Sequence, residues 1–182
     1  MAELTALREQ LADAQMAQVA HRRRAIVLLE GPEGAGKKAA LRQLAGTFDP
    51  CHFSVQCVAH DRRQSAEGHW LARFWRQLPT AGQTVFFYRS WYLRVLDDRL
   101  HGRIDDKSLA RAFDEINEFE AQQRDYGTAI VKLYFDVPAA VQARRLAERA
   151  ASPWQAAPPT AELPVDHPGY AQAFEDLRDN SD

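Results

Sequence analysis

The chain has 182 residues, 46% hydrophobic and 26% charged, which is enough for one domain with a real core and short for two. Its 23 basic and 25 acidic side chains leave a net charge of −2, which argues against bulk nucleic-acid binding. No segment approaches the roughly 18 apolar residues of a membrane span, and the N-terminus lacks a signal-peptide core, so a cytoplasmic protein is expected.

Residues 3–20 place Leu4, Leu7, Leu11 and Val19 at helical spacing, which predicts a first helix with one modest apolar face. The basic run His21–Arg24 follows and reads as a solvated helix end, with a phosphate-facing patch as the alternative. Ala25-Ile26-Val27-Leu28-Leu29 is an unbroken apolar run of strand length, the pattern of a strand covered on both faces in a parallel sheet. Similar runs recur at Phe53–Val58, Thr84–Phe87 and Ala129–Phe135. Helical segments are expected between them, at about 36–46, 65–78, 91–100, 107–125 and 138–150. The alternation predicts an α/β fold: a central parallel sheet of about four strands flanked by helices in three layers, with right-handed crossovers.

From Ser152 to Pro168 prolines gather at 153, 158, 159, 164 and 168, which predicts an irregular stretch before a last helical piece, Tyr170–Leu177. The expected organisation is a kinase-like domain over 1–150 and a Pro-rich tail over 151–182. Cys51 and Cys57 are too few for a zinc site and read as buried or half-buried thiols. His52, His60, His69 and His101 are scattered without metal-ligand spacing. Trp70, Phe74 and Trp75 have helical spacing and read as core or a subunit contact.

Gly31-Pro32-Glu33-Gly34-Ala35-Gly36-Lys37 matches the G-x-x-x-x-G-K pattern between a buried strand and a helix, the setting a phosphate-binding loop requires. Gly31, Gly34 and Gly36 permit a tight loop with inward amides, and the helix beyond adds positive potential. Lys37 is expected to reach the terminal phosphates. The next position commonly carries a hydroxyl that binds magnesium; Lys38 stands there and is counted with the phosphate-binding residues. After the third strand, Tyr88 occupies the place of an acidic metal-holding residue. Arg89, Arg94 and Arg99 follow at near-helical intervals and form a candidate phosphate clamp, Arg89 foremost.

Glu30-Gly31 through Gly36-Lys37, Leu71–Pro79 (LARFWRQLP), Arg89-Ser90-Trp91-Tyr92, Asp114–Glu120 (DEINEFE) and Val131-Lys132 together resemble the polyphosphate kinase 2 family over about residues 5–150. The stretch from Phe74 to Glu120 is most similar to domains found in tandem in the AMP-phosphorylating branch. The resemblance implies a thymidylate-kinase-like P-loop fold moving phosphoryl groups between inorganic polyphosphate and a nucleoside mono- or diphosphate, with Mg²⁺ or Mn²⁺. It implies Lys37 and Arg89 as phosphate-contacting catalytic residues, and Arg73, Arg145 and Arg149 as further phosphate-binding arginines, the last two at the base of a lid.

Two departures bear on that expectation. The family's loop aspartate is Glu33 here, and the aspartate before RSWY is Tyr88, leaving Glu33 as the one weak metal ligand at the motif. Asp61, Glu67 and Asp97 are candidate replacements, though nothing in the sequence places them in the site. The lid segment Ser152–Ala156 lacks the family's lysine, and the family's closing strand and helix have no counterpart here. These departures predict a protein that binds nucleotide or polyphosphate but is catalytically impaired, a partner of an active family member; an exposed Trp70–Phe74–Trp75 patch would instead predict a homo-oligomer. An active polyphosphate-dependent AMP or ADP phosphotransferase and another small-molecule kinase are the alternatives.

Overall fold

The computed structural model describes residues 2–59, 68–151 and 169–181. In chain order the elements are α1 (Ala2–Ala20), β1 (Arg24–Glu30), α2 (Lys37–Ala45), β2 (Phe53–Cys57), α3 (Ala72–Trp75), β3 (Thr84–Tyr88), α4 (Asp97–Leu100), α5 (Asp106–Asp125), β4 (Thr128–Tyr134), α6 (Ala139–Ala150) and α7 (Gly169–Asn180). Short 3₁₀ turns at Pro50–His52 and Trp91–Arg94 join them.

All four strands are parallel, in the order β2-β3-β1-β4. β1 is central, pairing Ala25 with Thr84 on one side and with Ala129 on the other. Its apolar run follows from that position, because Ile26, Leu28 and Leu29 are completely covered. The edge strands are less covered: Val55 on β2 and Val131 on β4 are exposed.

Phe86 and Phe87 show how one strand serves two layers, since consecutive side chains leave opposite faces. Phe86 meets Phe48 and Phe53 edge-on at 5.2 and 5.7 Å. Phe87 meets Phe74 and Trp91 on the other face, and Trp91 goes on to Phe119 of α5 at 5.0 Å. Each fully buried large apolar side chain contributes about 1.5–3 kcal/mol, so this second face is the principal core. α7 joins it through Ala173 and Leu177, while Phe174 stacks on Tyr134.

Several expectations are corrected. The helix foreseen over 65–78 is regular only at α3; residues 60–67 lie outside the described residues, and Pro79 disfavours helix at the position before it. The segment 91–100 divides into the 3₁₀ turn and α4, because Leu93, Val95 and Leu96 are all buried, which one face of a surface helix cannot achieve. On α1, Leu4 and Leu7 are exposed and Gln15 is the buried residue, bonding to Asp49 through both ends of its amide. Cys51 and Cys57 are exposed free thiols, since Cys51 lies in the 3₁₀ turn before β2 and Cys57 ends that edge strand. Phe74 is core, whereas Trp75 is exposed against Phe119 and Trp70 donates to Glu115. The stretch Ser152–Pro168, with the lid segment, lies outside the described residues. No described helix is long and apolar enough to cross a membrane.

Candidate functional site

The loop between β1 and α2 lies at the C-terminal edge of the sheet, where parallel α/β folds gather ligand-binding residues. Gly31 has φ +132°, and a Cβ there would stand 2.2 Å from the carbonyl oxygen of Phe135. The close approach of loop and β4 end therefore requires glycine. Gly34 and Gly36 also have positive φ, and a Cβ on Gly34 would press Gln142 and Leu146 of α6 at 3.3 Å.

Lys37, the first residue of α2, is 2% exposed and curls back over the loop. Its Nζ donates to the carbonyls of Gly31 at 2.5 Å and Pro32 at 2.8 Å. Burial, reinforced by the nearby Arg89 charge, pulls its pKa down to about 8. Glu30 ends β1 beside it. Burial pushes the Glu30 carboxyl up to about 7, against the opposing pull of a 2.6 Å hydrogen bond from Ser90 Oγ and the charge of Lys37.

Arg89 enters from the end of β3 with φ +61°, a left-handed conformation that costs a non-glycine residue about 1–3 kcal/mol. Its backbone N–H bonds to Leu29 on β1, and its guanidinium reaches Asp97 at 2.6 Å and Glu33 at 3.5 Å. Burial would lower its pKa, but the carboxylates of Asp97, Glu33 and Glu30 outweigh burial and hold it above the ordinary value. The three residues after Arg89 explain the rest of RSWY. Ser90 holds Glu30, while the Trp91 indole and Tyr92 hydroxyl both donate to Glu120, which also pairs with Lys132 at 2.7 Å.

Helix α6 closes the loop from the far side. Arg149 pairs with Glu33 at 2.6 Å, Gln142 donates to the Glu33 carbonyl, and Arg145 donates to the carbonyls of Gly34 and Ala35. Burial would raise the Glu33 carboxyl. The Arg149 hydrogen bond and the charges of Lys37, Arg149 and Arg89 prevail and hold it below the usual carboxylate range. Three carboxylates (Glu30, Glu33, Asp97) thus face three cations (Lys37, Arg89, Arg149) around one loop.

The structure brings together Gly31, Gly34, Gly36, Glu33, Lys37, Arg89, Arg145 and Arg149. Lys38 is exposed on α2. Arg73 bonds to the Ala59 carbonyl just past β2, on the same edge of the sheet. The three-arginine clamp is not formed: Arg94 pairs with Asp98 and Arg99 with Asp176 of α7, because the irregular turn after β3 breaks the spacing that would have aligned them. Glu30 is the site residue that sequence reasoning passed over, although it stands in the motif as the residue before the first glycine.

The donors do not fit a divalent cation. Both Glu33 oxygens face arginines, Asp97 is bound to Arg89, and Tyr88 is a phenol whose pKa burial and Glu33 push further up. Among the described residues no cluster of three or more His, Cys, Asp or Glu side chains is arranged to hold a metal. Asp61 and Glu67 lie outside the described residues.

The family model described as Polyphosphate kinase 2 (PPK2) matches residues 1–173. A polyphosphate:AMP phosphotransferase of Pseudomonas syringae pv. tomato is 35% identical over 130 residues, 71% of this chain and 26% of its own length. An ADP-polyphosphate phosphotransferase 3 of Rhizobium meliloti is 27% identical over 178 residues, 96% of this chain and 63% of its own. The crystal structure of a protein described as a putative polyphosphate kinase 2 from Pseudomonas aeruginosa superposes with a TM-score of 0.86 at 28% identity, covering 98% of this chain and 39% of that one. The chain thus spans about a quarter of the length of the phosphotransferase it matches at 35% identity. With its P-loop kinase-like fold and a family match that runs through nearly all of its residues, the chain belongs to the polyphosphate kinase 2 family.

Proposed function

We propose that this chain binds the phosphates of polyphosphate or a nucleotide on the Gly31–Lys37 loop and that its phosphoryl transfer is impaired. The observation that carries the reading is the state of the carboxylates: Tyr88 ends β3 where an acid is expected, and Glu33 is committed to Arg149 and Arg89. Phosphoryl transfer depends on positioning and charge neutralisation, with little covalent help from the protein. Lys37, Arg89, Arg145 and Arg149 supply positive charge for binding, and the loop amides at the start of α2 orient phosphate oxygens. What is lacking is negative charge free to hold a metal. By analogy with the loss of one strong electrostatic contact, the deficit is about 3–4 kcal/mol, or roughly 10²–10³ in rate.

A second reading, an active polyphosphate-dependent AMP or ADP phosphotransferase, requires the buried Asp97 to exchange its Arg89 partner, at 2.6 Å, for a metal, with Glu33 at 3.5 Å taking up part of the Arg89 charge. Asp97 would then take over part of the task of the missing strand-end acid. The test is incubation with polyphosphate, Mg²⁺ or Mn²⁺, and AMP or ADP, with Lys37→Ala as the control. Lys37-dependent binding of polyphosphate or nucleotide with little transfer is the expected result. Fast Lys37-dependent transfer would establish the second reading.

A further inference from the structure

The basic run His21–Arg24 plays no part in the loop site, and it opens onto a cleft of its own. Beyond the last turn of α1 the chain reverses at Arg22 (φ +54°), and Gln18 Nε2 donates to the Arg23 carbonyl to hold the reversal. The end of α1, the start of β1 and the turn from α5 into β4 border an open cleft of about 680 Å³. That size falls within the range of about 300–1,000 Å³ usual for small-ligand sites. His21, Arg23, Arg24, Arg124 and Thr128 line it, and the rest of the wall is Gln18, alanine and glycine. No Asp or Glu is among the lining residues.

We propose that this cleft is a second anion site that takes a condensed phosphate chain. The arginine fork matches phosphate oxygens, and three of them converge here in a chain whose overall charge is −2. Arg24 is held in place by stacking on Tyr126, 4.0 Å from the ring centre. Arg124 and Lys132 share one oxygen of Glu120, at 3.6 and 2.7 Å. Two buried polar atoms at the cleft, Arg24 Nε and Thr128 Oγ1, have no hydrogen-bond partner among the described residues, although Thr128 is only 3% exposed. Buried polar atoms are ordinarily paired, and both of these belong to residues that line the cleft.

The cleft favours phosphate over a nucleoside. No Phe, Tyr or Trp side chain lines it, and Arg24 already covers a face of Tyr126, so only His21 and the arginines themselves are left for a base to stack on. It is also separate from the loop. It opens at the N-terminal ends of β1 and β4, and seven-residue strands put roughly 20 Å between it and the loop.

Titration calorimetry with tripolyphosphate, ATP and adenosine at low salt tests the proposal, using the full chain, Lys37→Ala, and Arg23→Gln/Arg124→Gln. Both arginines are exposed, and because Arg124 also pairs with the buried Glu120, the double variant is melted beside the parent to show that it is folded. Tripolyphosphate should still bind Lys37→Ala, and the cleft component should weaken about tenfold or more in the double variant, with a shallower salt dependence. ATP should bind the cleft about as well as tripolyphosphate if only phosphates are read, and adenosine not at all. In the parent chain the double variant should remove one equivalent of bound tripolyphosphate, which reads the cleft independently of the Lys37 variant. An unchanged stoichiometry and affinity in the double variant would overturn the proposal. ATP binding the cleft more than about tenfold tighter than tripolyphosphate would overturn the assignment of a condensed phosphate as its ligand.

Discussion

Arg89 and Asp97, eight residues apart in the chain, meet at 2.6 Å with both side chains less than a tenth exposed. The pair holds the guanidinium of a residue in left-handed backbone conformation against the phosphate loop. Removing one partner of a buried ion pair leaves the other charge without compensation, which typically costs 3–5 kcal/mol. Asp97→Ala is therefore expected to lower stability by about 3 kcal/mol in urea titration, because Glu33 at 3.5 Å can take up part of the Arg89 charge. A loss below about 0.5 kcal/mol would show that the pair contributes little.

Glu33 has a different part in the same array: its carboxylate occupies Arg89 and Arg149, the two arginines of the phosphate site proposed above. Glu33→Gln keeps the shape and removes the charge. Tripolyphosphate is expected to bind the variant roughly tenfold tighter, about 1.4 kcal/mol, in a calorimetric titration without metal. Weaker binding would mean that the carboxylate serves the ligand.

Glu30 and Lys37 give the folded state a pH signature. Burial raises the Glu30 pKa to about 7, so between its unfolded value near 4.5 and pH 7 the native state holds a proton that the unfolded state has lost. Stability from this group is fully present below about pH 4.5 and falls as pH rises through 7. Lys37 has the opposite slope over another window. Its native pKa of about 8 lies below 10.5, so its contribution to stability rises between pH 8 and 10.5. Thermal melts of Glu30→Gln should show a flatter profile than the parent between pH 5 and 7. Parallel profiles would contradict the burial of an ionisable Glu30.

The phosphate loop and the sheet were legible because each rests on a local signal. The uninterrupted run Ala25–Leu29 marks the central strand, and three glycines with a lysine mark a loop whose backbone must turn at positive φ. Arg145 and Arg149 were reachable only through family resemblance, and they do meet the loop at Gly34, Ala35 and Glu33. The fate of Arg94 and Arg99 was not legible. Their spacing suggests a common helix face, but burial of Leu93, Val95 and Leu96 breaks the helix and sends each arginine to a separate carboxylate. Tertiary packing likewise decides which acid reaches the loop, so no periodicity singles out Asp97 from its neighbour Asp98.

Tyr88 leaves the proposed phosphate site one negative charge short at the end of β3. Measuring polyphosphate-dependent phosphorylation of AMP and ADP by Tyr88→Asp beside the parent chain, with Mg²⁺ and with Mn²⁺, tests it most directly. A gain in rate of roughly 10²–10³ is expected, abolished by adding Lys37→Ala. A parent chain that transfers phosphate rapidly, with Tyr88→Asp no faster, would contradict it.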